Sequence, residues 1–268
     1  MYTQNRYPHS LLLIVMPLLI FLHACSSFSP SPTPTPTPTP TITPTFTATS
    51  TFTPTPSTTN TPTLTRTITP DKKATQAVEQ EKAARDVLDS FSLPSDSGSL
   101  GWYQTETVNL DLSGPGGYLT ALGEPTTKAG DFVLFTTMTW YTDSWPVCGF
   151  LYRADSRWEK GTYYSAVFLR FSGLPAWDIE YWKDGLYAGI PSEKIRFSSY
   201  LNLDSGGSND IVFAAIGNEF KLYINNNFEG RYYDYDSKIA QGRLAFVGNQ
   251  DSGKTTCSFK DSWLWIYK

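Results

Sequence analysis

The chain has 268 residues, a net charge of −4, only two histidines and only three cysteines. That balance carries no basic footprint for nucleic acid. The histidines, His9 and His23, both precede Cys25. A chain processed at Cys25 therefore has neither a His-based nucleophilic triad nor a His-ligated zinc site.

In chain order, Arg6 precedes an uncharged apolar run, Leu11 to Leu22, followed by His23-Ala24-Cys25. A charged start, an apolar stretch and a small residue before a cysteine form the pattern of an export signal over residues 1–24. The run is about a dozen residues, short of the roughly 20 that span a bilayer, and Pro17 interrupts it. A permanent membrane helix and an ordinary secretory signal with a coincidental cysteine are the competing readings. The segment Leu22-His23-Ala24-Cys25 resembles the lipobox of bacterial lipoproteins, although His23 departs from the small residue usual there. The resemblance implies acylation of Cys25, with each buried CH₂ of the acyl chains contributing about 0.8 kcal/mol to membrane retention. The expected location is a lipid-anchored protein facing the extracellular side or the periplasm.

Cys148 and Cys257 remain, and export to an oxidising compartment makes them a candidate disulfide; two small buried thiols are the alternative. Residues 25–70 are dominated by Thr, Pro and Ser and cannot build a core. They are expected to form a disordered, polyproline-II-like stalk rising about 3.1 Å per residue where regular. Residues 71–92, rich in Ala, Glu, Gln and Lys, read as one short helix, with Ala74, Ala77, Val78, Ala84, Val87, Leu88 and Phe91 in a thin apolar stripe. The stripe could pack on the following domain or self-associate; we read the segment as a semi-independent neck.

From residue 100 to 268 the texture changes: all eight tryptophans lie there, in short runs rich in aromatic and β-branched residues. These runs include 131–141, 148–154, 162–171, 177–183, 211–216, 219–225 and 257–267, separated by Gly, Asn, Asp and Pro. No amphipathic helix intervenes, so the expected class is all-β, an antiparallel jelly-roll sandwich. Alternation over Glu219–Asn225, then Asn226-Asn227 and Phe228, predicts a hairpin.

Taken in order, Gly149-Phe-Leu-Tyr-Arg153, Thr162-Tyr-Tyr164, Asn209-Asp210-Ile211-Val212, Leu222-Tyr-Ile-Asn225 and Gly242-Arg-Leu-Ala-Phe246 resemble the concanavalin A-like (laminin G-like) jelly roll. They are most similar to the bacterial domain named for 3-keto-disaccharide hydrolases. The resemblance implies the sandwich fold. Domains of this fold bind sugars, bind proteins or hydrolyse glycosides, and fold alone does not choose among them.

On a strand over Trp177–Lys183, Asp178 and Glu180 share one face with Cα atoms roughly 6–7 Å apart. Paired carboxylates are what glycoside hydrolysis needs. However, the active strand of a glycoside hydrolase family with this fold reads Glu-x-Asp-x-x-Glu, and Lys183 fills the third position here. A non-catalytic carbohydrate-binding module is therefore the favoured reading. The expected ligand residues are Asp178, Glu180, Trp182 as a stacking platform, and Arg153 on the outward face with Gly149 and Leu151. A glycosidase using Asp178 and Glu180, or a protein-binding adhesion domain, are the alternatives. No metal or cofactor is expected: the Asp- and Asn-containing loops lack the spacing of a calcium loop.

Overall fold

A computed structural model describes residues 72–123, 127–189, 194–236 and 238–268. The expected signal, the lipid site at Cys25 and the stalk of residues 25–70 lie outside the described residues. The elements are α1 (Lys72–Ser90), β1 (Ser99–Gln104), β2 (Val108–Ser113), β3 (Gly116–Ala121), β4 (Phe132–Thr142), β5 (Pro146–Ala154), β6 (Tyr163–Phe171), β7 (Leu174–Lys183), β8 (Leu186–Gly189), β9 (Arg196–Phe197), β10 (Ser208–Ile216), β11 (Glu219–Ile224), β12 (Asn227–Tyr233), β13 (Arg243–Gln250) and β14 (Lys254–Ile266).

The strands form two seven-stranded antiparallel sheets. Sheet one runs β1-β14-β4-β10-β11-β12, with β2 also paired to β14. Sheet two runs β3-β13-β5-β6-β7-β8, with β9 on the edge of β7. The chain changes sheet between β2 and β3, β3 and β4, β4 and β5, β9 and β10, β12 and β13, and β13 and β14, the wrapping of a jelly-roll sandwich.

Alternation explains which side chains meet between the sheets. On β11, Phe220, Leu222 and Ile224 are buried and the residues between them are half-buried. Phe150 and Tyr152 of β5 meet Phe213 of β10 at ring-centroid distances of 5.2 and 4.8 Å. Phe246 of β13 stacks on Phe259 of β14 at 4.0 Å. Cys148 on β5 and Cys257 on β14 form a disulfide across the sandwich, 109 residues apart in sequence. On the chain-entropy account, closing so long a loop contributes up to about 4–5 kcal/mol.

The β11–β12 turn falls one residue earlier than alternation predicts. Asn225 and Asn226 are its central residues, with φ of 50° and 65°, and Ile224 pairs with Asn227. A two-residue turn of this hand needs positive φ at both positions, which asparagine tolerates. The Asn225 side chain is also anchored: its Oδ1 accepts from Asp210 N at 2.8 Å and its Nδ2 donates to Tyr200 O at 2.7 Å.

The neck reading gives way to a docked helix. β4 is buried along almost its whole length, on both faces. The face turned away from sheet two carries Val133, with Val212 and Ala214 of β10 and Trp263 and Trp265 of β14, and α1 covers it with Ala84 and Leu88. The Arg85 guanidinium lies 4.5 Å from the Trp265 ring centroid, and Phe91 packs on Tyr223 at 4.7 Å. After the helix, Ser92 turns left-handed (φ 53°) and Leu93 N donates to Leu88 O at 2.9 Å, folding Leu93 into the same apolar layer. The first turns of α1 do not share in this, since Val78 is 69% exposed.

Candidate functional site

With α1 on sheet one, the outward face of sheet two is the other broad face of the sandwich. Register decides what stands on it. Tyr164, Ala166 and Phe168 of β6, and Trp177, Ile179 and Tyr181 of β7, point into the core, so their alternates point outward. Across the two strands, Tyr163 pairs with Trp182, Ser165 with Glu180 and Val167 with Asp178. β8 extends the first row by setting Tyr187 beside Trp182. Asp178, Glu180 and Trp182 therefore share one face.

Trp182 is the centre of an aromatic corner. Its ring stacks on Tyr163 (5.9 Å between centroids, 21° between planes) and stands nearly perpendicular to Tyr187 (5.6 Å, 78°). Tyr187 is exposed, and Trp182 and Tyr163 are half-buried. Directly beside the corner lies Glu180, whose Oε2 accepts from both Ser165 Oγ at 2.8 Å and Trp182 Nε1 at 2.9 Å. These two neutral donors fix the carboxylate in place. Asp178, one row along, is 3% exposed and its Oδ1 accepts from Ile179 N at 2.8 Å. Partial burial, then the charges of Asp178 and Glu180, push the Tyr187 phenol above its ordinary pKa. Tyr187 thus stays a protonated hydrogen-bond donor next to two carboxylates. The floor continuing from this corner is small or deeply set: Ser165, Leu151 and Ala245 are all buried.

Arg153 does not join this group. The register of β5 against β13 shifts between the pairs Ala245↔Leu151 and Arg243↔Ala154, and Arg153 sits in the resulting bulge at φ 49°. The extra residue turns its side chain inward, where the guanidinium lies 5.4 Å from the Phe220 ring centroid. It donates to the carbonyls of Gly130 (2.9 Å), Ile239 (3.3 Å) and Gly217 (2.7 Å) and meets Asp131 Oδ1 at 3.4 Å. Arg153 is a clamp on three loops at one end of the sandwich.

A concavity of about 540 Å³ lies over sheet one at the ends of β2, β4 and β14. Its polar groups satisfy one another: Thr142 Oγ1 and Thr255 Oγ1 are 2.8 Å apart, and Thr256 Oγ1 donates to Asp111 at 2.7 Å. The Tyr141 ring in its wall lies against Gly206, where a Cβ would be 3.4 Å from the ring. The aromatic corner on sheet two is the better prepared to take a ligand. Among the described residues, no group of three or more His, Cys, Asp or Glu side chains is placed to hold a metal ion.

Tyr163 and Tyr187 complete the site and were not expected from sequence. Tyr163 follows from the strand pairing once the register is known, while β8 is a four-residue strand with no period of its own.

The sequence matches no protein-family model, and no curated protein matches it. Among solved structures, the chain is similar to a carbohydrate-binding module from Bacillus subtilis, at 14% identity and a TM-score of 0.47, covering 62% of this chain and 96% of the module. It is also similar to a Bacillus subtilis protein with a galectin-like fold (9% identity, TM-score 0.46, 63% of this chain and 89% of that one). A third is a Bacillus licheniformis β-glucanase (11%, 0.41, 65% and 87%).

Proposed function

We propose that this chain is a surface-anchored lipoprotein, held by acylated Cys25 on a Thr/Pro stalk, whose sandwich is a non-catalytic carbohydrate-binding module of the type named for 3-keto-disaccharide hydrolases. The observation that carries the binding reading is the corner of Tyr163, Trp182 and Tyr187 beside Glu180. A pyranose presents a face of C–H groups that packs on an aromatic ring, and its hydroxyls need fixed acceptors and donors at the rim. Trp182 offers the ring, Glu180 the acceptor and Tyr187 the donor. Few, precisely held polar groups around an apolar platform are the usual composition of such sites.

The test is binding of the full chain, in non-ionic detergent, to a panel of polysaccharides, followed by tryptophan fluorescence and by assay of released reducing ends. Trp182→Ala is expected to weaken glycan binding by tenfold or more, about 1.4 kcal/mol or above, with little change in melting temperature because the ring is half-buried. Unchanged affinity would remove the platform role. Release of product, abolished in Asp178→Asn with Glu180→Gln, would instead establish the glycosidase reading that the shared face of these carboxylates keeps open. Silence in both assays would favour a protein partner.

The anchor has its own test. Cys25→Ser is expected to leave the protein unprocessed or to release it into the medium, and membrane retention with normal cleavage would refute it.

A further inference from the structure

Resting on the carbohydrate-binding reading above, we infer that the sugar selected at the Trp182 corner carries a protonated amine, as a glucosamine oligomer does. Three features converge on a cation. Trp182 stands between Tyr163, stacked on it, and Tyr187, perpendicular to it, so that three π systems lie in one row beside Glu180. Such faces attract an ammonium group through their quadrupoles, most strongly at tryptophan.

The second feature is uncompensated negative charge. Glu180 is held by a hydroxyl and an indole N–H, and among the described residues it makes no ion pair. Both bonds fall on Oε2, so Oε1 is the acceptor offered to a ligand. A neutral sugar hydroxyl would satisfy this oxygen, but only a cation would also balance the charge, through a shorter and stronger hydrogen bond.

The third is where the basic residues stand: Arg157 reaches the turn between β7 and β8 but is already paired with Asp155 and Asp184. Lys183 alternates with Trp182 and so turns to the other side of β7. Arg243 alternates with the core residues Leu244 and Phe246 and shares the outward face, but on β13, three strands from β7. At the spacing of paired strands that is about 14 Å. The corner is the acidic, aromatic end of this face, and Arg243 stands at the other.

The experiment compares a fully deacetylated glucosamine hexamer with its N-acetylated counterpart, titrated calorimetrically against the full chain in non-ionic detergent while the amines are protonated. The deacetylated oligomer is expected to bind about tenfold more tightly or better. Glu180→Gln, which removes the charge at nearly constant size, should weaken the deacetylated oligomer more than the N-acetylated one and so bring the two to comparable affinity. Glu106→Gln, which removes an equal charge at an exposed position between β1 and β2, should leave the preference intact. Equal binding of the two oligomers, or a preference lost equally in both variants, overturns the amine inference and leaves the carbohydrate reading standing. No binding of either oligomer or of any polysaccharide overturns both.

Discussion

Deleting residues 72–93 is expected to leave a sandwich that melts at least about 10 °C lower and aggregates. The helix removed is the cover for Val133, Val212, Ala214, Trp263 and Trp265, all buried against it. Uncovering that many large apolar groups on one flat face creates the kind of exposed patch that drives association. Single substitutions separate the buried from the exposed face of α1. Leu88 is fully buried, so Leu88→Ala should cost about 2–4 kcal/mol. Val78, on the same helix but 69% exposed, should tolerate Val78→Ala within about 0.5 kcal/mol. Urea unfolding of the three variants decides it. If the deletion unfolds at the native midpoint and stays soluble, α1 is a passive neck.

Arg153→Met is the second large effect, and it is an effect on stability. The side chain is 2% exposed, and its guanidinium is surrounded by the carbonyls of Gly130, Ile239 and Gly217 and by Asp131. Methionine matches the length of the stem but takes the Arg153 donors away from the three carbonyls. Breaking a buried charged network of this kind costs about 3–5 kcal/mol. For a domain of this size that is a fall of roughly 10 °C in melting temperature. Glycan affinity measured well below that temperature should be native. A variant that kept its melting temperature but lost glycan binding would return Arg153 to the ligand face.

The difference between Arg153 and Glu180 marks what was legible in the sequence. Simple alternation places Asp178, Glu180 and Trp182 on one face, because β7 runs without interruption through all three. The same counting puts Arg153 outward with Gly149 and Leu151, and it fails because one bulge changes the parity. The feature bound to that bulge, Gly242, is visible in the sequence but not interpretable alone: a Cβ there would lie 2.2 Å from the Arg153 carbonyl carbon. Pairing was also beyond reach, so Tyr163 and Tyr187 could not be added to Trp182. The docking of α1 was closer to the surface of the sequence. The apolar run Phe132–Phe135 in β4 is continuous, as in strands buried on both faces, and such a strand requires a cover.

The disulfide has a consequence for the order in which the molecule can be made. β14 pairs with β1, β2 and β4, all of them much earlier in the chain, and it carries Cys257. Cys148 therefore waits, through more than a hundred residues of synthesis, for the strand that bears its partner. Until then sheet one is missing the strand that joins β1 and β2 to β4, and Trp263 and Trp265 are not yet there for the helix to cover. Long-range pairings of this sort make folding slow and leave apolar edges open meanwhile. The cross-sheet bond then acts as a latch that closes only after the late strand has been inserted, separating chains that have completed the sandwich from those that have not.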